Sequence, residues 1–182
     1  MTSASRPALV VLLRGVNVGG HRTFRPAAFA RELGHLGAVN IGAAGTFVIR
    51  ERVGRAQLRS ELAGRLPFDT EIVICNGRDL ARFVAHHSAA LGPAPAGVVR
   101  FVSVLVRDPA GTPALPVHLP PSGQWLVRIV ARDGRFAVGE YRRHMKTIGY
   151  LGALDRIFGV PVTTRNWNTM TAIARALEGE TS

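Results

Sequence analysis

Over residues 8–75, extended apolar runs and helical stripes follow one another in the order β-α-β-β-α-β, and that order limits the possible folds more than any other feature of the chain. Residues 8–13 form an unbroken apolar run, the pattern of a strand covered on both faces, which Arg14-Gly15 interrupts. Pro26 suits a first helical turn, Phe29, Leu33 and Leu36 recur at i, i+4 and i+7, and Gly37 stands where a left-handed residue ends a helix. Two short extended stretches follow at 39–42 and 45–50. A second helix carries Leu58, Leu62 and Leu66 and stops at Pro67, and 70–75 supplies a last strand. This order implies a ferredoxin-like arrangement, an antiparallel sheet with both helices on one face.

The rest of the chain approximately repeats the order. Asn76 has the chemistry of an N-cap with Asp79 near the positive helix end, and Leu80, Phe83, Val84 and His87 share one face of the helix that follows. Residues 91–97 hold two Pro and two Gly among small side chains, the composition of a linker. The expected division is therefore a first half at 1–78, a bridging helix and linker at 79–97, and a second half at 98–182. Within the second half 98–106 reads as a strand and 109–121 as a proline-rich connection with room for one helical turn. Residues 125–132 and 135–141 flank Asp133-Gly134, a strong hairpin signal. Leu151, Leu154 and Phe158 mark one short helix ended by Gly159 and Pro161, and Trp167, Met170, Ala174 and Leu177 stripe a C-terminal helix. The fold class expected is α+β: two ferredoxin-like halves with antiparallel sheets, plus a C-terminal helix.

Composition excludes several classes of protein. With 182 residues, 47% hydrophobic and 19% charged, the chain is too apolar to be mainly disordered, and its longest apolar runs are far shorter than a membrane span. The net charge is +11, and of 23 cationic residues 22 are Arg; Lys146 is the single Lys. Two explanations stand side by side: GC-rich codons that favour Arg together with Ala, Gly and Pro, or a functional basic face that draws phosphates or nucleic acid. The single Cys, Cys75, cannot pair within the chain and closes the run Ile72-Val73-Ile74, which fits a small core residue in a reducing compartment. Residues 1–7 show no apolar leader, so a cytoplasmic protein without a membrane partner is expected.

Three segments could carry chemistry. The first runs from Arg14 through Gly15, Asn17, Gly19 and Gly20, at the end of the first strand. Its glycines let backbone N–H groups approach a ligand, and Arg14 and Asn17 can grip oxygens. His21-Arg22 stands where a P-loop needs Lys and then Ser or Thr, so that motif is absent. The plainer alternative is a loop shaped by glycine after a buried strand. The second segment, 163–171, gathers Thr, Asn and Arg side chains at the start of the last helix, where N–H groups and the helix dipole favour an anion. Arg165 can add a bidentate contact, with Asn166 and Asn168 beside it. Equally, Thr164 or Asn166 can serve as a simple N-cap, with Trp167 and Met170 as core. The third, 141–147, is basic through Arg142, Arg143 and Lys146. A Lys in a chain otherwise built on Arg suits a point-charge phosphate contact or an amine of lowered pKa, unless it is merely the one that remained. No spacing of His and Cys suits a metal, and no cofactor is implied. No aromatic-basic run of the type that reads RNA bases is present.

Residues 13–20, Leu-Arg-Gly-Val-Asn-Val-Gly-Gly, together with 163–169, Thr-Thr-Arg-Asn-Trp-Asn-Thr, are similar to the DUF1697 family, a bacterial group of unknown function. The resemblance brackets nearly the whole chain and implies two ferredoxin-like halves. It also places Lys146 in a Ser-Lys-Leu-like segment, although Met145 precedes it here and Thr147-Ile148 follow. The family commonly carries a Ser-Gly-Asn turn between strands two and three. This chain has Ala44-Gly45-Thr46, so two potential ligand-binding side chains are weakened or lost. The leading expectation is that Arg14, Gly15, Asn17, Gly19, Gly20, Lys146, Arg165, Asn166 and Asn168 bind an anionic ligand, a phosphorylated small molecule or a nucleic-acid backbone, between the two halves. One alternative is a small-molecule enzyme using Lys146 or His144 as acid, base or nucleophile, with Arg side chains clamping the substrate. Another is a non-catalytic interaction module. The oligomeric state is open.

Overall fold

The computed structural model describes residues 8–16 and 24–179, which divide into two compact units. One comprises residues up to Arg82 together with those from Thr171 onward, and the other runs from Phe83 to Met170.

In the first unit, β1 (Leu9–Leu13), β2 (Ala38–Asn40), β3 (Thr46–Ile49) and β4 (Ile72–Asn76) form an antiparallel sheet in the order β2-β3-β1-β4. The unbroken apolar run occupies a central strand, as expected: Val10 to Leu13 are fully buried between β3 and β4. Pro26 opens α1 (Pro26–Glu32), where its missing N–H costs no hydrogen bond, and a 3-10 turn at Gly34–Leu36 extends it. Gly37 then reverses the chain at φ +58°, in the left-handed region that favours glycine. In α2 (Arg55–Arg65), Leu58 and Leu62 face inward and are fully buried. Both helices pack on a core that includes Val11, Phe29, Leu33, Phe47 and Ile74. Cys75 is buried, as its position in the apolar run suggested, and its Sγ donates to the Val10 carbonyl at 3.7 Å.

β4 passes directly into α3 (Gly77–Leu91), within which the division between the units falls. Asn76 caps this helix: its Oδ1 accepts the Arg78 N–H at 2.9 Å. Gly77 is needed at the junction, because a Cβ there would lie 2.8 Å from the Ala8 carbonyl oxygen and 2.7 Å from Leu177.

The second unit holds β5 (Val98–Leu105), β6 (Val117–Leu119), β7 (Val127–Asp133), β8 (Phe136–Arg142) and β9 (Val162–Asn166) in an antiparallel sheet ordered β6-β7-β8-β5-β9. The Asp133-Gly134 hairpin forms as its sequence demands, with Gly134 at φ +53°. Two local expectations change. The proline-rich connection contains β6 and no helical turn, because prolines spaced through it remove the N–H donors a helix needs. The single short helix is two: α4 (Thr147–Gly152) and α5 (Leu154–Phe158) meet at Ala153, and Gly159 ends the second at φ +66°. Leu154 and Phe158 pack with Phe101, Leu105 and Ile129 into this unit's core. β9 runs into α6 (Trp167–Glu178) across another Asn cap, Asn166 Oδ1 accepting the Thr169 N–H at 2.8 Å. The same local solution, a strand meeting a helix at one Asn, thus occurs after β4 and after β9.

Candidate anion-binding site

The three segments singled out from sequence lie in different parts of the two units. Arg14 and Gly15 belong to the first unit, just beyond β1. With Phe68, Asp69, Thr70 and Glu71 they line a cleft of about 460 Å³. The Arg14 N–H donates to the Glu71 carbonyl at 3.0 Å, and the Thr70 hydroxyl donates to the Arg14 carbonyl at 2.5 Å, so this corner is pinned by backbone bonds. Asp69 and Glu71 bring acidic groups beside Arg14, and the lining is of mixed sign. A larger cavity of about 760 Å³ shares Phe68 and Asp69 and adds Phe24, Phe29, Arg25 and Arg65. Asn17, Gly19 and Gly20 lie outside the described residues.

The other segments belong to the second unit. Asn166 and Asn168, at the opening of α6, line a cleft of about 460 Å³ together with Trp167, Arg100, Tyr141, Arg143 and part of the linker, Gly92 to Ala94. Arg165 turns away from it. Only 7% exposed, it donates from Nη1 to the Thr163 hydroxyl at 2.8 Å and to the Thr164 carbonyl at 3.0 Å. Burial pushes its guanidinium down to about 10, which leaves it protonated at neutral pH. Lys146 and His144 are exposed and do not line the cleft. Their backbone is nevertheless held: the Lys146 N–H donates to His144 Nδ1 at 3.1 Å, and Thr147 Oγ1 donates to the Arg142 carbonyl at 2.7 Å. This fastening presents Met145 and Ile148 to solvent at 91% and 80% exposure, beside the segment's cations.

Sequence reasoning missed the charge network behind the cleft. Glu140 on β8 is 3% exposed and stands opposite Arg100 of β5 and Arg128 of β7 across the sheet. Its Oε1 accepts Arg100 Nη2 at 2.9 Å, and its Oε2 accepts Arg128 Nη2 at 2.6 Å and Nε at 2.9 Å. Desolvation alone would raise the Glu140 pKa, but the hydrogen bonds and charges of the two guanidinium groups outweigh it and hold the carboxyl below its ordinary value. Arg100 also donates to the Gly92 carbonyl at 2.6 Å and lies 5.5 Å from the Trp167 ring centre, which ties the linker and the start of α6 to one side chain. Strand alternation was the available signal, since Arg100, Arg128 and Glu140 interrupt otherwise apolar strands, but pairing them requires the register.

An α+β protein built on two antiparallel sheets, with a polar cleft at a strand-to-helix junction, is what these features define. The chain belongs to the protein family of unknown function DUF1697, whose model matches residues 7–114. Its fold is similar to that of the conserved bacterial protein SP0830 from Streptococcus pneumoniae: the alignment covers 94% of this chain and 98% of that one, at 17% identity and a TM-score of 0.54. At that identity the likeness speaks for the fold alone. No curated protein matches the chain. No helix among the described residues is long and apolar enough to cross a membrane.

Proposed function

We propose that the chain binds a phosphate-bearing ligand in the cleft of the second unit. The observation that carries this reading is the shared lining: Arg143, Asn166, Asn168 and Tyr141 face one space, at the end of a twelve-residue helix whose dipole favours an anion. Arg100 also borders the cleft, but Glu140 already answers its charge, so Arg143 is the cation that meets the ligand. The cap takes only the Asn166 Oδ1, so its Nδ2 and the amide of Asn168 are the donors turned to the ligand. A volume of about 460 Å³ suits a small phosphorylated molecule or a short stretch of nucleic-acid backbone.

The reading extends to the fold. Numbered within the unit, the first sheet has the order 2-3-1-4 of a ferredoxin-like half. Strands β5, β7, β8 and β9 repeat that order in the second, with the proline-rich segment and β6 in place of the first crossover helix.

Trp167 lines this cleft, and the chain's other tryptophan, Trp125, does not, so a Trp125→Phe chain leaves one indole to report on the cleft. Inorganic phosphate and pyrophosphate are expected to change Trp167 emission saturably, and Arg143→Ala to weaken that response about tenfold or more, the loss of one charge-assisted contact. Emission that responds to neither anion, or an Arg143→Ala chain that binds like its parent, overturns the assignment. A nucleic-acid backbone as ligand requires in addition that oligonucleotide affinity fall steeply with salt.

A further inference from the structure

A second cluster of cations in this unit is out of balance. Arg128 and Arg142 each place a guanidinium carbon 4.4 Å from the centre of the Trp125 ring. Counting Arg100, the group comprises three guanidinium groups around one carboxylate, and Glu140 is saturated: one oxygen takes Arg100 and the other takes Arg128. Nothing of Glu140 is left for Arg142. The Arg142 Nε is buried and has no hydrogen-bond partner among the described residues. One side of this cation has therefore lost its water without gaining an acceptor, and the indole face only partly compensates. Such a group gains more from an anion at its outer edge than a fully hydrated arginine does.

The position of Arg142 is rigid. Its backbone ends β8 opposite Val98, its N–H donates to the Leu126 carbonyl at 2.8 Å, and its own carbonyl accepts the Thr147 hydroxyl. Trp125 comes just before β7, so the indole and both arginines are fixed by adjacent strands. Holding two like charges on one ring, with only one of them answered, is costly unless a counter-charge joins them.

We infer that Arg142, stacked on Trp125 beside Arg128, is a binding site for the oxyanion of a phosphate group, separate from the cleft lined by Arg143. The planar guanidinium fork donates its two outer nitrogens to phosphate oxygens, and Trp125 orients the fork. Arg142 and Trp125 do not line the cleft, so the two assignments stand or fall independently.

The test uses the full chain carrying Trp167→Phe, which leaves Trp125 as the sole indole. Titrated with inorganic phosphate against chloride at matched ionic strength, Trp125 emission is expected to change saturably with phosphate only. Arg142→Gln in that background is expected to bind at least tenfold more weakly, and Arg107→Ala, an exposed cation of the same unit that lines none of the clefts described above, to bind like the parent. If Arg142→Gln does not fold, as judged by circular dichroism, Arg142→Lys replaces it: it keeps the charge, loses the fork and is expected to weaken binding as well. Parallel titrations with a nucleoside monophosphate and with an oligothymidylate assign the source. Tighter binding of the monophosphate points to a free phosphorylated metabolite, and tighter, salt-sensitive binding of the oligomer to a nucleic-acid backbone. Identical responses to phosphate and chloride, or parent-like affinity in the Arg142 variant, overturn the site.

Discussion

Replacing Glu140 by Gln removes one negative charge and almost no volume, so it isolates the electrostatic role of the network. Arg100 bears the consequence: its side chain is 5% exposed, and its Nε and Nη2 both face Glu140 Oε1, at 3.3 and 2.9 Å. Breaking a buried ion pair from one side costs about 3–5 kcal/mol, because the remaining charge stays desolvated. The amide retains an acceptor oxygen and Arg100 keeps its bond to the Gly92 carbonyl, so the lower end, about 3 kcal/mol, is expected. Arg128 is 32% exposed, so water replaces much of what it loses in Glu140→Gln; Arg128→Ala instead leaves the buried Glu140 with no partner at Oε2 and is expected to cost a similar amount, about 3 kcal/mol. Both tryptophans of the chain lie in this unit, so urea unfolding followed by their fluorescence reads the relevant transition. The effect must also depend on pH. The folded carboxyl titrates below its ordinary value of 4.5, so its contribution is complete above that pH and is lost as pH falls from 4.5 through the folded value. The gap between wild type and Glu140→Gln should therefore close in acid. A cost for Glu140→Gln below about 1 kcal/mol at neutral pH would refute the reasoning.

Two further substitutions probe the same unit. His87 is buried against Phe83, with ring centres 4.3 Å apart. Desolvation first, then the charges of His86 and Arg100, lower its pKa from 6.5 against a smaller opposing effect of Asp133. The unfolded chain takes up this proton first, so stability is present above 6.5 and is lost as pH falls from there toward the folded value; in His87→Phe the urea midpoint should change less between pH 7.5 and 5.5, and an unaltered difference would exclude His87 as its source. Gly139 faces the Phe101 ring, and an added Cβ would lie 2.7 Å from the Arg128 carbonyl oxygen, so Gly139→Ala is expected to destabilise by about 2–3 kcal/mol. Gly149→Ala, which meets open space in α4, should be neutral or slightly stabilising, and equal costs at the two positions would contradict the close approach at Gly139.

Local chemistry explains why some elements were legible and others were not. The run at 8–13, the stripe of Leu58 and Leu62, the Asn76 cap and the Asp133-Gly134 hairpin each rest on residues within a few positions of one another, and each forms as read. The connection at 109–121 misled because its single apolar residues fit a helical turn as well as a short edge strand, and pairing with β7 chose the strand. The split between α4 and α5 likewise follows from packing, since Leu154 and Phe158 are drawn into the core and the chain turns at Ala153. In the candidate site, Asn166 and Asn168 were placed correctly at a helix opening. The direction of Arg165 was not legible, because its neighbour across the sheet, Val102, is 63 positions away.

The amino-acid order by itself determined most of the segments that become strands and helices, with β6 and the break between α4 and α5 as the exceptions, where the Asn caps and the tight turn fall, and that the chain is strongly basic. All of these follow from backbone preferences and side-chain periods that act over a few residues. Tertiary structure alone decided which cations are answered and which are not. Strand register sets Glu140 between Arg100 and Arg128, turns Arg165 inward and leaves Arg142 on Trp125, and the strength of a charge depends on partners and burial that only the folded chain supplies.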